Sequence, residues 1–161
     1  MLETLRARFA GKRVVVLGVG NPMRGDDGVG ACLADRLQGR VKATVVNAGD
    51  VPENYLGPVA ADQPEVVVIV DAAELGTAPG EIAIIEANEL AKTTLSTHNV
   101  SLSLFIEVLR SEVQADVFLL GVQPASTAFG APLSPAIVTA LRLLEELFQS
   151  CCPKSNSAPT P

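Results

Sequence analysis

Four side chains in this sequence could do chemistry together. Asp26 and Asp27 stand in "VVVLGVGNPMRGDDGVG" (14–30), Asp71 ends "EVVVIVD" (65–71), and His98, the only histidine, closes "TTLSTH". Carboxylate oxygens and an imidazole nitrogen can hold a divalent cation or move a proton. Each acid follows an apolar run that reads as a strand. In open α/β sheets the crevice beyond the carboxyl ends of the strands is where ligands bind. The full set of candidates at those ends is Asn21, Asp26 and Asp27, then Asn47, Asp50 and Glu53, then Asp71, then Gln123, with His98 ahead of a long helix.

The glycines of the first turn raise the question of a phosphate. A dinucleotide fingerprint needs G-x-G-x-x-G, and here Gly18 and Gly20 are followed by Asn21, Pro22 and Met23. A phosphate-binding loop needs Gly-Lys-Ser/Thr, which is absent. Asp26 and Asp27 would stand near the helix N-terminus where a phosphate docks, and they repel an anion. A cation fits better. Asp27, Asp71 and His98 offer two oxygens and one nitrogen from three separate segments, a mixed set that suits a divalent transition ion and leaves positions open. A structural zinc site would more often use four ligands with thiolates.

Plainer readings stand beside this one. Asp-Asp-Gly at a helix start also serves as a capping device. Asp71 would cap the following turn equally well, and a lone histidine before a helix is often a partly exposed polar residue. Cys32 reads as a small core residue, and Cys151–Cys152 as an incidental pair in a tail.

The elements that position these residues follow from apolar periodicity. Strands are expected over 13–19, 42–48, 65–71, 81–85 and 115–123, and helices over 28–38, 98–113 and from "LSPAIVTALRLLEELFQS" onward. Ser134 is expected to cap that last helix, with Pro135 in its first turn. "VPENYLGPVAADQ" reads as a short helix broken by Gly57 and Pro58. Only "AAELGTAPG" joins the third strand to the fourth, too little for a parallel crossover, so strand four is expected antiparallel at an edge. The helix at 98–113 is apolar outside a stripe of Ser103, Glu107 and Arg110, and is expected to be largely covered. The result is a single α/β domain over 1–150: a five-stranded, mostly parallel twisted sheet with one antiparallel edge strand and helices on both faces. Residues 151–161 read as a disordered tail.

Composition limits the partners. The chain has 161 residues, 48% hydrophobic, with a net charge of −6. Acidity argues against nucleic acid, no apolar run is long enough for a membrane span, and no secretory leader is recognisable, so a cytoplasmic protein is expected. Three cysteines fit a reducing compartment.

"GVGNPMRGDDGVG", "VVVIVDAAELG", "PGEIAII", "STHNVSL" and "LLGVQP" occur in this order. Together they resemble the nickel–iron hydrogenase maturation endopeptidases, most closely the type serving the hydrogenase of formate hydrogenlyase, from residue 13 to about 148. The resemblance implies a protease that removes a C-terminal extension from the nickel-loaded large-subunit precursor by a single cut. It places the metal-contacting positions on Asp27, Asp71 and His98, with Asp27 and Asp71 as the candidate catalytic carboxylates of an aspartyl-type peptidase. Nickel would come with the substrate, and no tightly bound cofactor of its own is expected. The implied partner is the hydrogenase large-subunit precursor, and the chain is expected to be a monomer. Two rival readings are a non-catalytic hydrogenase-associated subunit of the same fold and a doubly wound nucleotide-binding protein.

Overall fold

The computed structural model describes residues 1–90 and 98–155. The apolar runs are the inner strands β1 (Val14–Val19), β3 (Val66–Ala72) and β5 (Asp116–Val122). Valine's branched side chain suits a pleated surface, and strands covered on both faces read as continuous apolar sequence. The edges are β2 (Thr44–Gly49) and β4 (Ile82–Glu86), and the order is β2-β1-β3-β5-β4. All pairs are parallel except β4, which runs antiparallel to β5, as its short link requires.

Alternation along the strands builds two cores. Val16, Val68 and Phe118 face α1 (Leu2–Phe9), α2 (Val29–Leu37) and α6 (Pro135–Cys151). Leu17, Ile69 and Leu119 face α3 (Leu56–Ala61), α4 (Ala87–Leu90) and α5 (Asn99–Glu112). The sheet is thus sandwiched between two helical layers.

Several details differ from the sequence reading. The N-terminal helix α1 carries only Leu5 and Phe9 as buried anchors, four residues apart, too short a pattern to announce a helix. Tertiary contacts hold it: the Phe9 ring lies 6.3 Å from Phe118 and 6.0 Å from Phe148. Arg8 adds charge-assisted contacts of 2.7 Å to both Glu86 and Asp116, with its guanidinium 3.8 Å over the Phe118 ring. Gly57 and Pro58 do not break a helix. A 3-10 turn over Pro52–Tyr55 leads into α3, and Pro58 falls in the first turn, where its missing N–H is not needed.

The covered face of α5 is Leu102, Phe105, Ile106 and Leu109, but Val100 and Leu104 are exposed at 83% and 53%. At the other end, α6 continues through Cys151, Cys152 is buried, and Pro153 bridges to Val41. The two cysteines therefore belong to the packed domain and not to a tail, while Cys32 is half-buried against the first core. Residues 156–161 of the expected tail lie outside the described residues.

One close approach sets how α2 meets the sheet. A Cβ on Gly30 would overlap the carbonyl oxygens of Val70 and Val19, and one on Gly18 would overlap the carbonyl of Gly30. The third glycine of a nucleotide fingerprint, absent at its usual spacing, has its packing counterpart in Gly30. Gly30→Ala should therefore lose about 1–3 kcal/mol through overpacking. Thermal unfolding reads this as a Tm drop of roughly 2–4 °C per kcal/mol for a chain of this size. An unchanged Tm would show that the helix can lift off the strands without cost.

Candidate active site

The chain runs from β1 to one neighbour, β2, and then returns to β3 on the other side of β1. Connections leave the sheet in opposite directions at this point, opening a crevice beyond the carboxyl ends of β1 and β3. Period-two alternation puts Asp71 on the same face as Val67 and Ile69, the face covered by α5. His98 is the N-cap residue of α5, so the helix that covers that face also delivers the imidazole.

The first turn brings the remaining acid. Gly20 has φ +139°, and a Cβ there would overlap the backbone carbonyl oxygen of Asp27, so the turn can close only on glycine. "GDDG" (25–28) then forms a 3-10 turn before α2. Three residues per turn point successive side chains about 120° apart, so neighbouring aspartates look in different directions.

Asp27 looks into the crevice. Its Oδ2 accepts the Asn21 N–H at 3.0 Å. Asp71 lies with Oδ2 3.0 Å from Nδ1 of His98, while its Oδ1 accepts the Ala72 N–H at 2.8 Å. Donor atoms of Asp27, Asp71 and His98 all lie within 4.8 Å of one another. Asp71 is wholly buried, Asp27 is 4% exposed, and the His98 side chain 13%. The three residues proposed from separate segments therefore meet at a single point.

Asp26 looks the other way. It is buried, and its carboxylate accepts from the backbone N–H groups of Ala125, Ser126 and Ser134 and from the Ser134 hydroxyl, at 2.8–3.2 Å. Burial opposes its ionisation, but the Ser134 and Ala125 N–H groups, the Ser134 hydroxyl and the Ser126 N–H together hold it below the usual carboxylate range. Ser134 occupies the N-cap position of α6 as expected, yet its hydroxyl makes no cap bond and is donated to Asp26 instead. No sequence signal links residues about a hundred positions apart, so this tie was not legible beforehand.

The other candidates hold structure. Gln123 is buried, accepting the Leu75 N–H at 2.6 Å and donating to Glu74 at 3.0 Å. Asn47 donates to Asp35 and accepts the Gly49 N–H. Asn21 Oδ1 accepts the Met23 N–H, and Glu53 lies exposed in the 3-10 turn before α3. Asp50 differs: its Oδ1 lies 3.0 Å from Nε2 of His98.

His98 thus has a carboxylate at each ring nitrogen. The hydrogen bond to Asp71 raises its pKa most, burial opposes, and Asp50 and Asp27 add to the rise, which carries it to about 9. A folded-state value above the ordinary 6.5 means its stabilisation is complete below that pH and is lost as pH rises toward about 9. In chelator-treated protein, the imidazole NMR resonances should titrate well above 6.5, and Asp71→Asn should bring the midpoint down. A midpoint near 6.5 in the unmodified protein would break the Asp71–His98 pairing.

Known proteins place the chain in a family. A sequence profile of the HycI hydrogenase maturation protease family matches residues 29–150, a span that includes Asp71 and His98. The hydrogenase 3 maturation protease of Escherichia coli K12 is 36% identical over 130 residues, covering 79% of this chain and 83% of that protein. The crystal structure of a [NiFe] hydrogenase maturation protease HycI from Thermococcus kodakarensis matches with a TM-score of 0.84 at 35% identity, over 92% of this chain and 97% of that one. The solution structure of the endopeptidase HycI from Escherichia coli matches with a TM-score of 0.76 at 30% identity, over 86% and 90%. Fold, length and sequence agree along nearly the whole chain, which belongs to the hydrogenase maturation proteases and is a peptidase of that family.

Proposed function

We propose that this protein removes a C-terminal extension from the nickel-loaded large-subunit precursor of a nickel–iron hydrogenase. In this reading Asp27, Asp71 and His98 contact the nickel that the precursor already holds. The convergence of their donor atoms within 4.8 Å at the switch-point crevice carries the reading. Two nearly buried carboxylates and one imidazole suit a divalent first-row ion, and three protein donors leave room for ligands from a partner. No cysteine is among them. The site is therefore suited to share an ion with thiolates supplied by the substrate.

The ion serves first as a handle that registers the precursor against the crevice. A carboxylate not fully engaged by the ion, Asp27 or Asp71, orients the attacking water as general base, and the ion can polarise the scissile carbonyl. Asp26 stays outside this chemistry because its carboxylate faces the loop at 125–134 and is not among the donors that converge in the crevice. Recognition of an installed metal also orders events: an irreversible cut waits until insertion is complete. No described helix is long and apolar enough to cross a membrane.

The decisive assay mixes the protein with precursor, with and without nickel, and follows the mass of the large subunit. Cleavage should require nickel in the precursor. Asp27→Asn, Asp71→Asn and His98→Ala should abolish the mass loss while circular dichroism shows a folded domain. Free nickel added to the protein with casein should give no proteolysis. A folded His98→Ala variant of full activity would refute the assignment, and so would equal cleavage of nickel-free precursor.

A further inference from the structure

The proposed chemistry leaves the contact between Asp50 and His98 unused. Asp50 follows β2 directly, in a turn tied on both sides: the Gly20 N–H donates to the Gly49 carbonyl at 2.8 Å, and the Val51 N–H to Ala48 at 3.2 Å. Its carboxylate is 49% exposed, whereas the imidazole it meets is 13% exposed. Asp50 thus approaches His98 from the solvent side of the crevice, while Asp71 approaches from the buried side.

The two ring nitrogens are not equivalent. Nδ1 stands 3.0 Å from Asp71 Oδ2. Two ligands of one first-row ion, each bound at ~2.1 Å, lie about 3.0–3.4 Å apart for angles from a right angle to the tetrahedral value. The Nδ1–Oδ2 spacing, that of a hydrogen bond, is also one that neighbouring ligands can keep. Nε2 faces Asp50 at 3.0 Å, and Asp50 is not among the side chains whose donor atoms converge. A nitrogen turned to Asp50 cannot also face the point shared by Asp27 and Asp71.

We propose that Asp50 is a positioning residue: its carboxylate accepts the Nε2–H of His98, which fixes the ring and leaves Nδ1 as the nitrogen offered to the ion. This rests on the metal-contacting reading above. The physical reason is general. A ligating histidine is oriented by the acceptor of its other N–H, and a carboxylate there raises the basicity of the ligating nitrogen.

Because the chain has one histidine, its ring nitrogens can be labelled with 15N and read without ambiguity in tag-free protein. Zn2+ alone is the probe, being diamagnetic. In the unmodified protein, Zn2+ should move the Nδ1 resonance to a metal-bound position while Nε2 keeps its proton. Asp50→Ala should weaken Zn2+ binding by roughly 10–100-fold and remove the slowly exchanging Nε2–H signal, with unfolding unchanged. Asp50→Glu should restore part of both. Zn2+ bound through Nε2 would overturn the role of Asp50 and leave the metal site standing. So would an Asp50→Ala variant with unaltered affinity and ring signals. Unmodified protein that takes no Zn2+, or takes it equally well as His98→Ala, would overturn both readings together.

Discussion

A fully buried carboxylate at the end of an apolar strand is the constraint on which the site depends. Taking an ionised aspartate out of water costs several kcal/mol unless it is paired and hydrogen-bonded. Asp71 meets both conditions, through the His98 imidazole on one oxygen and the Ala72 N–H on the other. His98 must then stand at a fixed place, which α5 provides by starting there and packing Leu102, Phe105 and Leu109 onto the sheet. Asp27 must come within reach as well, which requires the turn after β1 to close tightly and α2 to lie flush on β1 and β3. Gly20 and Gly30 make that possible, since a methyl group at either would strike backbone. The charge at the crevice and the bare backbone around it are two parts of one design.

Asp26 and Asp27 show how adjacent residues of the same type acquire different work. Asp26 is saturated by four donors from the segment at 125–134, so it fastens the rim of the crevice and its charge is stabilised by those neutral donors. Asp27 accepts the Asn21 N–H and faces the other site residues. The 3-10 turn separates them by direction, and their partners then separate them by chemistry.

Much of this was legible in the sequence for physical reasons. Buried parallel strands must be apolar throughout, so β1, β3 and β5 announce themselves, and nine residues cannot carry a crossover helix, so β4 had to turn back. Acids at strand ends had to line one rim, which brought Asp27 and Asp71 into view. What was hidden shares a different cause. Helix α1 depends on contacts of Phe9 and Arg8 with residues over a hundred positions away, and its own periodicity spans two turns. The hydroxyl of Ser134 goes to Asp26 and not to its own helix, and local capping rules cannot foresee a better acceptor arriving from elsewhere. Asp50 was visible as an acid beyond a strand, but nothing local said which ring nitrogen it would meet.

On the proposed reading, the arrangement also bears on why the metal should arrive with a partner. The His98 ring is held by carboxylates on both nitrogens and carries a proton at neutral pH, so an incoming ion must displace that proton and reorganise the Asp71 contact. A free ion has only the three side chains to compensate for this. On the proposed reading, an ion held in a folded precursor brings the protein–protein contacts of docking into the same event, and each weak interaction then raises the effective concentration of the other. A site satisfied by its own protein therefore holds a free ion less tightly than an ion presented by a docked precursor, and so discriminates better than an open cage.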